Sequence, residues 1–117
     1  MLITHDRFAA YAAARSALTA IQRATSAWPR DLAQHAQTTA NNVLTKTAEA
    51  IDKDPTSPAR RRCLRDALVD ALVLASICDL ATSHGLMSEA LEDTLRHASR
   101  TISMLGLSFH ATSAATD

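Results

Sequence analysis

Apolar residues recur along this chain at steps of three, four and seven, and short polar or proline-bearing breaks divide it into four helical segments. The first runs from about Thr4 to Ala27, with Phe8, Tyr11, Ala14, Leu18, Ile21 and Trp28 on one stripe. "WPRD" closes it, because Pro29 cannot continue a helix but suits the first turn of a new one. The second runs from about Pro29 to Lys53 on Leu32, Ala36, Ala40, Val43, Thr47 and Ile51. Its many Gln, Thr and Asn residues predict more polar contacts than its neighbours make. "KDPTSP" reads as a loop, and Ser57 followed by Pro58 as an N-cap and first-turn proline. The third helix runs to about Ser83, where Gly85 is placed to end it in a left-handed conformation. Ser88 caps the fourth, and Glu89, Glu92 and Asp93 suit its positive end. Leu91, Leu95, Ala98, Ile102, Leu105 and Phe109 then form the most regular seam in the chain. Residues 1–110 are expected to form the bundle, and the small polar segment 111–117 a disordered tail. The spacing predicts an all-α protein, an up-down-up-down four-helix bundle with short connections.

The third segment does not fit a helix with a single buried face. "DALVDALVLASICDLA" (Asp66 to Ala81) is almost entirely apolar or small between its aspartates. With Leu64 at zero and ~100° per residue, Leu68, Ala71, Leu72, Ala75 and Cys78 fall within about 80° of it. Val69, Val73, Ile77 and Leu80 fall near the opposite pole, between about 140° and 220°. A four-helix bundle cannot bury both poles, and leaving these side chains wet forgoes about 1.5–3 kcal/mol each. The pattern therefore predicts a self-association surface centred on Val69, Val73, Ile77 and Leu80. The alternative is a fully central helix in a less regular bundle. Asp66 and Asp70 flank the second stripe, within reach of arginines on a neighbouring subunit.

Composition supports the helical reading. The 117 residues suit one domain, with two glycines, three prolines and 47% hydrophobic residues, of which aromatics are few. The core is expected to be built from Leu, Ala, Ile and Val. Twelve basic and twelve acidic residues balance to zero, which argues against a strongly basic nucleic-acid-binding domain but leaves room for a local patch. The start "MLITHDRF" has no secretory pattern and no segment is long enough to cross a bilayer, so a cytoplasmic location with no membrane contact is expected. Cys63 and Cys78 sit ~22 Å apart on one helix, too far to pair with each other.

Catalytic and metal signatures are sparse. A di-iron bundle needs Glu-x-x-His pairs, and none of Glu49, Glu89 and Glu92 has a histidine three residues later. The cysteines lack zinc spacing, and there is no phosphate-binding glycine loop and no nucleophile elbow. Asp93 and His97, one turn apart, read as a helix-surface pair. The expectation is a non-enzyme that uses no cofactor and no metal.

One charge cluster stands out. "ARRRCLRD" sets Arg60, Arg61, Arg62 and Arg65 at the start of the third helix, where cations oppose the helix dipole at about 0.3–1 kcal/mol each. An acidic partner, a phosphate backbone or a neighbouring subunit would offset that cost, as would a solvated end partly paired with Asp54 or Asp66. Phosphate or RNA binding and a merely charged end both remain open. Arg7, Arg15, Arg23 and Arg30, with Arg96 and Arg100, are candidates to extend the patch. No aromatic residue interleaves with the arginines in sequence, so base stacking is not expected.

From Trp28 to Phe109 the chain resembles the bacterial four-helix-bundle proteins encoded in intervening sequences of large ribosomal RNA genes. Their relatives include the accessory variability determinant proteins of diversity-generating retroelements. The resemblance is carried by "WPRD", "KTAEA", "LATSHGLMSEALEDTL" and "RTISMLGL". Lys46 stands where the family has Asn, and Ala50 where it has Gly. The resemblance implies a homopentameric ring of bundles with no catalysis of its own. It also implies binding to nucleic acid, RNA or DNA, and to a reverse transcriptase. A protein-binding scaffold with no nucleic-acid contact is the other reading.

Overall fold

The computed structural model describes residues 8–116, with side chains to residue 111. It contains α1 (Ala9–Ala24), a 3-10 turn (Thr25–Ala27), α2 (Arg30–Ile51), α3 (Pro58–Ser83) and α4 (Glu89–Thr116). Each helix packs on its neighbours in sequence, and α1 closes the square against α4. This is an up-down bundle, 45 × 27 × 20 Å. The α4 backbone includes most of the polar segment expected to form a tail.

The junctions follow local chemistry. The residue before a proline is pushed to extended backbone, and Trp28 adopts φ −85°, ψ 158° before Pro29 while its ring is buried. Gln37 Nε2 donates to the Thr25 hydroxyl at 2.7 Å, tying this turn to α2. Ser57 caps α3 by accepting from the Arg60 N–H at 3.1 Å, with Pro58 in the first turn. At the other end the Leu86 N–H donates to the Ala81 carbonyl and the Gly85 N–H to the Thr82 carbonyl, both at 3.0 Å. That pair of bonds needs a left-handed residue, and Gly85 supplies it with φ 78°. Ser88 then caps α4 by accepting from the Leu91 N–H at 3.1 Å.

The core is narrower than expected. Of the 22 buried apolar residues described, 13 are alanine, so small side chains set the helix spacing. In α1 the buried line is Ala10, Ala13, Ala14, Ala17, Ala20, Ile21 and Ala24, whereas Phe8, Tyr11 and Leu18 are half-buried. Threonine is a core residue too. Thr25, Thr39, Thr47, Thr94 and Thr101 are buried, and each hydroxyl donates to the carbonyl four residues back at 2.7–2.8 Å. With the polar group satisfied inside its own helix, the remaining surface packs much as valine does. In α4 the buried line is therefore Leu91, Thr94, Ala98, Thr101 and Leu105, and Leu95 and Ile102 of the expected seam sit half-buried beside it.

The two glycines give opposite expectations. Gly106 lies inside α4 with no atom within 4 Å of an added Cβ. Gly106→Ala should raise the unfolding free energy by about 0.5–1 kcal/mol. Gly85→Ala should lower it by about 1–2 kcal/mol through left-handed strain. Urea midpoints, at unchanged slope, measure both.

Candidate functional site

The outer face of α3 carries large aliphatic side chains that the fold leaves open. Val69 is 52% exposed, Leu72 49%, Val73 37% and Leu80 49%, whereas Ile77 is 6% exposed. Together with Leu32 and His35 of α2 they line one open groove, with Ile77 at its floor. Ser76 interrupts the stripe without adding an unmet polar demand, because its hydroxyl donates to the Leu72 carbonyl at 3.1 Å.

Two members of the expected faces change places: Ile77 belongs to the core and Leu72 to the outer face. The buried residues Leu64, Ala67, Ala71, Leu74, Cys78 and Ala81 keep a strict seven-residue repeat. A helix of 3.6 residues per turn drifts about 20° per heptad against such a repeat. Over this long helix the core line therefore moves around the surface toward Ile77 and away from Leu72. The second buried column, Ala67, Leu74 and Ala81, also centres the line about 30° to the Ile77 side of Leu64 from the start, so an origin at Leu64 misses both the offset and the drift.

The arginines do not form one patch. Arg60, Arg61, Arg62 and Arg65 cluster at the start of α3, where Arg61, Arg62 and Arg65 line a cleft with Pro58 and Phe109. The bundle brings aromatic rings to them from distant sequence. The Arg60 guanidinium lies 5.8 Å from the Phe8 ring centroid, and that of Arg61 lies 5.4 Å from Phe109. Arg60 also donates to the Lys53 carbonyl at 3.4 Å. Arg65 Nε stands 3.8 Å from Asp66, while Arg62 is exposed. The absence of interleaved aromatics along the chain is thus a property of the sequence and not of the surface.

Arg15 and Arg23 sit elsewhere, in a groove between α1 and α4 that Asp93 and His97 share. Arg23 pairs with Asp93 at 3.6 Å, and Asp93 also accepts from Arg96 at 2.7 Å. Asp93 is near the start of α4 and Phe109 near the far end, about 24 Å apart at the helical rise. Arg23 and Arg96 are therefore drawn to Asp93 and not to the α3 cluster, and Arg15 lines the same groove as Arg23. Arg7 lies outside the described residues.

Other chemistry-bearing groups stand apart. Cys63 is half-buried and free. Cys78 is buried and free, and burial, with Asp79 nearby, pushes its thiol up to about 12. Among the described residues no three His, Cys, Asp or Glu side chains are grouped to hold a metal ion. No helix among them is long and apolar enough to cross a membrane. No family model matches the chain, and no curated protein matches it.

Two carboxylates by α3 are shifted in opposite directions. Asp54 Oδ1 accepts from the Thr56 N–H and hydroxyl, both at 2.9 Å. These bonds, with Arg60 nearby, lower its pKa. Asp70 is raised by burial and by Asp66, against a lowering pull from Lys46. A lowered carboxylate stabilises the fold above its unfolded pKa and loses that as pH falls through the folded value. A raised one destabilises the fold at neutral pH, and this penalty vanishes in acid. Asp54→Ala should therefore lower the melting temperature at neutral pH and Asp70→Asn should raise it. Both differences should shrink as pH falls through and below the carboxylate range, as read by thermal unfolding across that range.

Proposed function

We propose that the protein is a non-catalytic, self-associating accessory protein whose arginine-bearing ends engage a polyanionic partner. That partner is nucleic acid, alone or held by a reverse transcriptase. One observation carries the reading: α3 exposes Val69, Leu72, Val73 and Leu80 side by side. Covering them with protein is worth about 1.5–3 kcal/mol for each side chain fully buried. Scattered apolar residues need no explanation, but a contiguous face on a small domain marks an interaction surface.

The polyanion arm rests on the cluster at the start of α3. Arg62 and Arg65 are exposed there, beside a cleft floored by Phe109. Assembly multiplies a modest patch by the number of subunits, so local basicity is compatible with zero net charge. The resemblance to ribosomal intervening-sequence proteins and retroelement accessory proteins points the same way. Its implied subunit number, five, is not required by the apolar face. A specific observation favours the scaffold reading instead: Arg60 and Arg61 are already engaged with Phe8 and Phe109.

Two measurements test these arms. Val73→Asp should shift the mass in solution toward the single chain while leaving helicity unchanged, because Val73 lies outside the core. An unchanged mass removes α3 as the interface. For the polyanion arm, affinity for RNA or DNA should fall steeply between about 50 and 200 mM salt. Arg62→Ala should flatten that slope without disturbing the stacked Arg60 and Arg61 or the Arg65–Asp66 pair. Absence of binding at low salt leaves the scaffold reading.

A further inference from the structure

We infer that α3 pairs with α3 of a second copy, antiparallel, about a two-fold axis near Leu72. This rests on the self-association reading and gives it a geometry. The first argument is the number of patches. A ring is built from two different complementary surfaces, whereas a two-fold contact uses one surface twice. Among the described residues only α3 and its α2 border carry a contiguous apolar face. The other large exposed hydrophobics, Met87 and Leu107, stand apart, one in the α3–α4 connection and one far along α4.

The second argument is the charge order along that face. Arg65, Leu72 and Asp79 are seven residues apart in turn, so they lie on one line within about 40°. All three are exposed. Antiparallel pairing centred on Leu72 sets Arg65 opposite the second copy's Asp79, twice by symmetry, with Leu72 against its own copy. Parallel pairing sets Arg65 on Arg65 and Asp79 on Asp79, which repels. Leu80 then reaches the aliphatic stem of the second copy's Arg65.

The third argument is the helix dipole. α3 has no acidic residue in its first turn and no basic residue in its last. Arg60, Arg61 and Arg62 oppose its own positive end. In the antiparallel pair the exposed Arg61 and Arg62 approach the carbonyl-bearing C-terminus of the second copy's α3, near Thr82 and Ser83. Cations that are unfavourable within one chain become favourable between two.

The test uses the full chain without nucleic acid. In a Cys63→Ser background, Leu72→Cys should oxidise to a disulfide-linked two-chain species, because only a two-fold axis near residue 72 brings that position to its own copy. By sedimentation, Arg65→Asp and Asp79→Arg alone should each weaken the dimer by about tenfold or more. The double reversal should restore it. A monomer at every concentration overturns both this geometry and self-association. A larger assembly that does not cross-link at Leu72 overturns the two-fold axis alone and leaves self-association standing. A dimer without cross-link or charge rescue also overturns the axis.

Discussion

Alanine sets the spacing of this bundle, and most of the structure follows from that. Helices whose facing residues are Ala10, Ala17, Ala40, Ala67, Ala71 and Ala98 lie close together and leave little room for large side chains between them. The interior is filled by a few larger residues, including Ile21, Leu64, Leu74, Leu91 and Leu105, with back-bonded threonines between them. Such a core excludes water but buries little apolar area per helix. The aliphatics of α3 are accordingly divided. Leu64, Leu74 and Ile77 go inward, and Val69, Leu72, Val73 and Leu80 stay outside. The outer set adds little to the stability of a lone chain, and its packing value is realised only when something covers it.

The architecture was legible from local signals whose physics does not depend on tertiary context. Pro29 after Trp28, Ser57 before Pro58, Gly85 and Ser88 each mark a junction through local backbone preference or side-chain capping, and each does so in the structure. Core identity was less legible, for two reasons. A threonine reads as polar until its hydroxyl is known to back-bond, so Thr94 and Thr101 were hidden behind Leu95 and Ile102. A helical phase fixed on Leu64 also ignores the second buried column, Ala67, Leu74 and Ala81, and the drift of the seven-residue repeat, which together exchange Leu72 for Ile77 over a 26-residue helix. Thr94 and Thr101 can be found in sequence by asking for steps of three and four alternately, since Leu91, Thr94, Ala98, Thr101 and Leu105 obey that rule throughout.

The site was legible in outline and not in its contacts. The second stripe on α3 follows from composition and period, which are local. The company kept by the arginines is not. Phe8 and Phe109 are separated in sequence by nearly the whole described chain, yet both reach the start of α3 because α1 begins and α4 ends at that corner of the bundle. Conversely, Arg15 and Arg23 belong to the same residue class as Arg62 but face a different groove, where Asp93 partly balances Arg23. Residue type nominates candidates for a patch, and topology decides which of them meet.

The apolar face and the arginine cluster differ in what the lone chain already does for them. Arginines at a helix start are unfavourable, but several local groups offset them. Ser57 caps the helix, and the carboxylate of Asp54, held by Thr56, lies near enough to Arg60 to feel its charge. The guanidinium groups of Arg60 and Arg61 rest on aromatic rings. Most of the charge at that corner is thus offset within the chain, and Arg65 stands beside Asp66, so the charge left for a polyanion is carried chiefly by Arg62. No comparable compensation exists for the apolar stripe, since no residue of α2 lies over Val69, Leu72 or Leu80 far enough to hide them. Covering the stripe gains free energy whatever the partner, whereas engaging the arginines gains it only where phosphate or carboxylate replaces water. The apolar stripe is therefore the feature of the lone chain that would gain most from being covered, whereas the arginine corner is already largely balanced within the fold.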